Sequence, residues 1–284
     1  MVALCAIYAL GQITIKIGNQ GISPLMQAAL RSGGATVVMV GWMLTQGITL
    51  RPKPGIARPA VLIGVLFALE FVGFYWGLAL TTAARGTILL YTAPFFVALG
   101  AHYLLEEKLT PQQWMGLALA FAGVALVVGT ADPGPAETDT MAGDLLCLGG
   151  GIAWAATTLL IRGTVLRDEK AERCLLYQLA LSTVLLMTVS LLMGPERGEP
   201  GIFAPTLMTW LALAYQIIAV ASFGYLWWFV LIQRHSPARL SAFTFLTPLF
   251  GVAFAGILLG EKLTPPLLGA AALCAGGLWL INRR

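Results

Sequence analysis

The sequence predicts an all-α integral membrane protein, with ten transmembrane helices in two inverted-topology repeats of five. Three observations predict it. Only 11% of the 284 residues are charged, 58% are hydrophobic and the mean hydropathy is +0.83, whereas a soluble domain covers itself with about 25% charged residues. The apolar residues fall into ten runs separated by turn-forming residues, each close to the ~20 residues that cross a hydrocarbon core of ~30 Å. The chain also repeats itself at a fixed offset, with an odd number of runs in each copy.

Each run is bounded by recognisable punctuation. The first, 1–18, has no basic leader region and reads as a mature span carrying Tyr8, Gly11 and Gln12. Gly21-Ile22-Ser23-Pro24 opens the second, 23–46, with Arg31 inside it. Arg51-Pro52-Lys53-Pro54 precedes the third, 58–80, which holds Glu70, Phe71, Phe74, Tyr75 and the spacing Gly73-x-x-x-Gly77. The fourth, 86–105, contains Tyr91, Pro94 and His102, and Thr110-Pro111 separates it from the glycine-containing fifth, 112–130. After Asp132-Pro133-Gly134-Pro135 comes the sixth, 142–163, with Gly149-Gly150-Gly151, Trp154, Thr157 and Thr158. The seventh is 172–194; the eighth, 207–233, bears Ser222, Tyr225 and Trp228. The ninth, 238–259, has Phe245, Pro248 and the start of Gly256-x-x-x-Gly260, and the tenth is 265–282. Helices are required because lipid offers no partner to unsatisfied backbone groups. The runs lack the period-two alternation of a barrel strand.

Charge orients the spans. Arg51, Lys53, Arg58, Lys108, Arg162, Arg167, Lys170, Arg173, Arg234, Arg239, Arg283 and Arg284 fall on one side, against Arg85, Arg197 and Lys262 on the other. Positive loops stay inside, so both termini are expected in the cytoplasm. The net charge of +4 is thus a topology signal, and no nucleic-acid partner is expected.

The repeat has an offset of 154 residues. Ala84-Arg85 recurs as Ala238-Arg239, Pro94 as Pro248, Leu104-Leu105 as Leu258-Leu259 and Gly123 as Gly277. Glu107-Lys108-Leu109-Thr110-Pro111 recurs unchanged as Glu261-Lys262-Leu263-Thr264-Pro265. A weaker match at offset 146 pairs Tyr8 with Trp154, Lys16 with Arg162 and Arg31 with Tyr177, while Glu106 pairs with Gly260 at offset 154. The boundaries that follow are a first repeat at 1–130, an extracytoplasmic linker at 131–141 and a second repeat at 142–284. Five spans per copy make the copies cross the membrane in opposite directions. Inverted repeats are a signature of secondary transporters; the alternative is duplication within a rigid membrane scaffold.

Glu-Lys-Leu-Thr-Pro, placed thirteen residues after a mid-span proline in both copies, resembles the EamA repeat of the drug/metabolite transporter superfamily. The likeness covers nearly the whole chain, and the aromatic loading is most similar to the YddG-type exporters of aromatic amino acids. It implies ten helices in two inverted five-helix repeats, a central cavity between them and transport by alternating access. It does not fix a substrate.

Side chains at matching depth are the candidate substrate contacts: Tyr8, Gln12, Glu70, Phe74, Tyr75, Tyr91, Trp154, Thr158, Tyr225, Trp228 and Phe245. Aromatic walls favour planar side chains, although the same rings could simply fill helix contacts. Trp42, Trp114, Trp210 and Trp279 lie near span ends and are expected to anchor at the interface. Glu70 either binds a substrate ammonium, carries a proton, or pairs structurally with Arg31; Arg31 in turn could attract a carboxylate. Pro94 and Pro248 are expected hinges, because a mid-helix proline removes a backbone hydrogen bond and crowds the preceding turn.

Other chemistries lack their residues. Cys5, Cys147, Cys174 and Cys274 have no paired spacing, so neither a disulfide nor a metal is expected. The only histidines are His102 and His235, and no His-Glu-x-x-His or phosphate-loop motif occurs, which argues against an intramembrane enzyme or an ATP-driven pump. The alternatives within the same superfamily are a drug-like or a phosphorylated-sugar substrate; a phosphorylated sugar would want several basic groups in the cavity, where Arg31 is the one candidate, so an amino acid or a drug-like aromatic fits better. The sequence therefore favours a secondary transporter, without cofactors, that exports aromatic and other large neutral amino acids. It is expected to work as a monomer in the bilayer of a bacterial inner membrane.

Overall fold

The computed structural model describes residues 1–80, 89–129, 140–193, 205–259 and 265–283. These residues form helices in the predicted order and no strand. They are α1 (Val2–Gly18), α2 (Pro24–Thr45), α3 (Ala57–Leu80), α4 (Ala93–Leu104), α5 (Pro111–Gly129), α6 (Thr140–Gly163), α7 (Ala171–Met193), α8 (Leu207–Arg234), α9 (237–259) and α10 (Pro265–Asn282). Four stretches are long and apolar enough by themselves to cross a membrane: Ala57–Phe74, Met141–Gly163, Ala171–Leu192 and Leu207–Arg234. Most of the linker at 131–141 lies outside the described residues. So do Arg85, Arg197, Arg284, Gly260, the run Glu261 to Thr264, and the side chains of Lys16 and Tyr75.

Helix starts follow their capping chemistry. Pro24, Pro111 and Pro237 each open a helix, where the missing N–H costs nothing. At α5 the Gln113 amide donates to Thr110 Oγ1 (3.3 Å) while Thr110 N–H donates to Gln113 Oε1 (2.9 Å). A Thr206–Thr209 capping box starts α8.

Two helices are not regular. α8 runs as an α-helix to Tyr215, as a π-helix over Gln216–Gly224, and again as an α-helix from Tyr225. Ser222 Oγ donates to the Ile217 carbonyl five residues back (2.8 Å), following that wider winding. α9 is an α-helix over Pro237–Ala242, a 3₁₀ turn over Phe243–Phe245 and an α-helix from Leu246.

The chain divides into two compact units that cut across the sequence repeats. The first comprises Met1–Leu10, Gly73–Leu159 and His235–Arg284; the second comprises Gly11–Val72 and Leu160–Arg234. In the first unit α5 lies against α10 through glycine. A Cβ added to Gly116 would stand 2.7 Å from the Gly277 carbonyl oxygen, and one on Gly277 only 2.5 Å from that of Gly116. The Gly73-x-x-x-Gly77 face meets α6 in the same way, with added Cβ atoms 2.8 Å from the Leu146 oxygen and 2.9 Å from that of Gly143. Lipid is as apolar as leucine, so such backbone proximity, and not water exclusion, holds membrane helices together.

In the second unit α2 packs on α7 and on the π-helical part of α8, over a core that includes Met39, Ile63, Leu175, Leu179 and Leu186. One end of this unit is tied by polar contacts. Buried Glu169 pairs with Arg173 (3.0 Å) and with Lys53 (3.7 Å), and Gln233 Nε2 donates to the carbonyls of Leu166 (2.7 Å) and Glu169 (3.0 Å). Arg162 Nη1 in turn donates to the Gln233 carbonyl (2.7 Å).

Candidate functional site

The first unit gathers aromatic rings around the start of α4. Pro94 is the second residue of that helix, and Tyr91 and Thr92 form a turn immediately before it. Pro248 is the third residue of the last α-helical segment of α9, directly after the 3₁₀ turn. The chain thus breaks ahead of each proline and restarts with the ring in the first turn, where a missing N–H is tolerated. Backbone at both breaks has neighbours. The Leu90 carbonyl lies against Gly151 of α6, where a Cβ would come within 3.0 Å. At the α9 break, the Cys5 thiol donates to the Phe243 carbonyl (3.2 Å), and Cys274, whose thiol donates to the Ala120 carbonyl (3.3 Å), has its sulfur 3.9 Å from the Phe245 carbonyl.

Tyr91 is buried in this turn and meets Trp154 edge-on, with centroids 6.1 Å apart and planes at 84°. Phe95, Phe121 and Phe245 form an adjoining group: Phe95 lies 5.1 Å from Phe121 and 6.4 Å from Phe245. Phe245 has no exposed surface and belongs to the core of the unit. Trp154 is half-buried, as are Tyr8 and Phe74. Thr158 is buried and its hydroxyl bonds the Trp154 carbonyl (3.1 Å), as Thr157 bonds that of Ala153 (3.0 Å). Both hydroxyl protons are therefore spent within α6.

The second unit holds a buried cation. Arg31 on α2 is 2% exposed, with its guanidinium carbon 4.2 Å from the Phe71 ring centroid and 5.9 Å from that of Tyr225. Phe67 closes the group edge-on, 4.8 Å from Phe71 and 5.6 Å from Tyr225. A desolvated guanidinium over a ring gains ~2 kcal/mol. Arg31 Nε and Nη2 nonetheless have no hydrogen-bond partner among the described residues, and a buried donor left so costs ~1–3 kcal/mol. Glu70, half-buried on α3, lies within electrostatic reach of both Arg31 and Tyr225. Trp228 follows Tyr225 by three residues and is buried; Gln12 is exposed.

The sequence pattern reaches the residues but not all the groupings. It singles out Tyr91, Trp154, Arg31 and Tyr225, and the structure joins the first two and the last two. Phe67, Phe95, Phe121 and the thiols of Cys5 and Cys274 are additional members, with no signal beyond apolarity.

The ten helices of the described residues, with paired breaks ahead of prolines and buried polar groups lined by aromatics, have the build of a multi-pass membrane transporter. The chain belongs to the EamA-like transporter family, which it matches over residues 1–129 and 141–283. An uncharacterized transporter of Archaeoglobus fulgidus is 30% identical over 268 residues, covering 90% of this chain and 86% of that protein. A probable amino-acid metabolite efflux pump of Salmonella typhimurium is 27% identical, covering 96% of this chain and 90% of that protein. The corresponding Escherichia coli pump is 25% identical over 96% of this chain and 90% of its own length. A solved crystal structure shares the fold with a TM-score of 0.85, at 17% identity, over 99% of this chain and 95% of that one.

Proposed function

We propose that this transporter exports small metabolites by alternating access, and that its substrates are aromatic and other large neutral amino acids. The observation that carries the substrate reading is Trp154, a half-buried ring in the interior of an apolar helix, set edge-on against Tyr91. A tryptophan at that position is away from the interfacial belt that most membrane tryptophans occupy. The Salmonella and Escherichia coli relatives are named as probable amino-acid metabolite efflux pumps, which supports an amino-acid substrate. Both termini lie in the cytoplasm and the monomer is the working unit, in the inner membrane of a bacterium.

The test is flux in liposomes loaded with labelled tryptophan, phenylalanine or alanine. Protein-dependent efflux of the aromatic amino acids is expected, and absence of flux for every neutral amino acid rules the substrate class out. Trp154→Ala should slow tryptophan about tenfold, from the loss of one aromatic contact of ~1–1.5 kcal/mol, and alanine far less. Equal losses for both would assign Trp154 to packing.

A further inference from the structure

We propose that the first unit carries a headgroup site for an anionic phospholipid, at the end of α4 and α10 where Lys108, Arg239 and Arg283 line one pocket. A pocket of 650 Å³ opens there, lined by Lys108, Arg239 and Arg283 with Glu107 as its carboxylate, and by the Thr110 and Gln113 cap of α5. Among the described residues, three cations against one carboxylate give the lining a positive charge. That charge comes from the side chains, because Thr110 and Gln113 already satisfy one another at the α5 N-terminus. Phosphate oxygens match such a cluster, with arginine offering paired donors and lysine a point charge.

A free anion and a lipid phosphodiester present the same oxygens, and the surroundings favour the lipid. From Pro111, at the edge of the pocket, an exposed stripe runs down α5 through Met115, Ala118, Ala122 and Leu126. From Arg283 a second stripe follows α10 through Trp279, Ala275, Ala272 and Leu268. Both are lanes of exposed apolar surface that end at the pocket, the first at Pro111 and the second at Arg283. Depth agrees. The Arg283 guanidinium lies 4.7 Å from the Trp279 ring centroid, and Trp279 is 58% exposed, as befits an interfacial anchor. At the end of α4, Tyr103 and Leu104 are likewise exposed. Basic pockets at this level between membrane helices suit acidic headgroups.

The experiment titrates the purified full chain in detergent with dioleoylphosphatidylglycerol, dioleoylphosphatidylethanolamine or inorganic phosphate, and counts bound lipid by native mass spectrometry. One phosphatidylglycerol should be held at least fivefold more tightly than phosphatidylethanolamine and should resist millimolar phosphate. Lys108→Gln, Arg239→Gln and Arg283→Gln should each weaken it about fivefold, as expected for ~1 kcal/mol per interfacial charge. Lys108 and Arg283 are exposed, so those two variants keep the fold, and a monodisperse profile checks it. Equal binding of the two lipids, or unchanged affinity in all three variants, overturns the site. Displacement by phosphate reassigns it to a soluble anion and overturns the lipid. None of these readings depends on which metabolite is carried.

Discussion

Glu106 is a residue whose backbone and side chain disagree. Its φ of 57° places it in the left-handed region, just beyond the end of α4, where a Cβ collides with the following carbonyl at a cost of roughly 1–2 kcal/mol. The turn is held from both sides: Glu107 N–H donates to the Ala101 carbonyl (2.9 Å) and Leu109 N–H to His102 Nδ1 (3.1 Å). His102 is thereby a structural clasp for the loop. The second repeat has glycine at the matching position, Gly260, the residue that bears this conformation without strain. Glu106→Gly should therefore stabilise the protein by ~1 kcal/mol, seen as a raised unfolding temperature in detergent. An unchanged or lower temperature would mean that the carboxylate makes a contact worth more than the strain. The sequence showed Glu106 only as a departure from the repeat. The reason lies in a dihedral angle, which no neighbouring residue encodes.

At the scale of elements, α5 and α10 show what glycine contributes when water does not drive association. Gly116 and Gly277 stand backbone to backbone, and Gly123 approaches the Ala270 carbonyl, where a Cβ would come within 2.8 Å. Gly277→Val would push two backbones apart with no flexible side chain to yield, so a loss of ~2–3 kcal/mol is expected, at the upper end of overpacking. Gly149→Ala is the control: nothing lies within 4 Å of a Cβ there, and it should leave the unfolding temperature in place. A similar loss from both would remove the close approach as the cause. Helix existence was legible because run length and punctuation are written in composition: α1, α2, α5 and α10 begin and end within about two residues of the predicted runs. Winding was not. The π-helical stretch Gln216–Gly224 and the 3₁₀ turn Phe243–Phe245 lie in largely apolar runs whose few polar residues, such as Gln216, Ser222 and Thr244, are buried, so hydrophobic periodicity carries little phase there. Pro94 and Pro248 read as mid-span prolines, whereas the break lies upstream of each ring because a proline fits best in a first turn. The Arg31 group was half legible. The cation and its possible attraction to Glu70 were visible, but its enclosure by Phe71 and Tyr225 depends on three helices meeting.

At the scale of the whole molecule, the two breaks are repeat mates, and an odd number of helices per repeat sets them in opposite senses across the membrane. A paired device follows from that placement. If the breaks bend during transport, restoring the missing hydrogen bond at either should stiffen the helix and slow turnover without harming the fold. Pro94→Ala and Pro248→Ala remove the ring's clash and supply an N–H, so that α-helical winding extended back through the break would bond it to the carbonyl four residues earlier, that of Leu90 or of Thr244. One such bond is worth ~0.5–1.5 kcal/mol, so each variant should unfold at the same temperature as the parent or higher. Efflux in liposomes should fall about tenfold, as for ~1.4 kcal/mol added to a conformational barrier. The inverted arrangement adds a sharper requirement. The two variants should accumulate in opposite access states, so a membrane-impermeant maleimide should label a reporter cysteine near either mouth in opposite order for the two proteins. Parent-like efflux in both variants would reduce the breaks to static kinks. Identical labelling patterns with slowed efflux would keep the hinges but deny that the repeats use them in alternation.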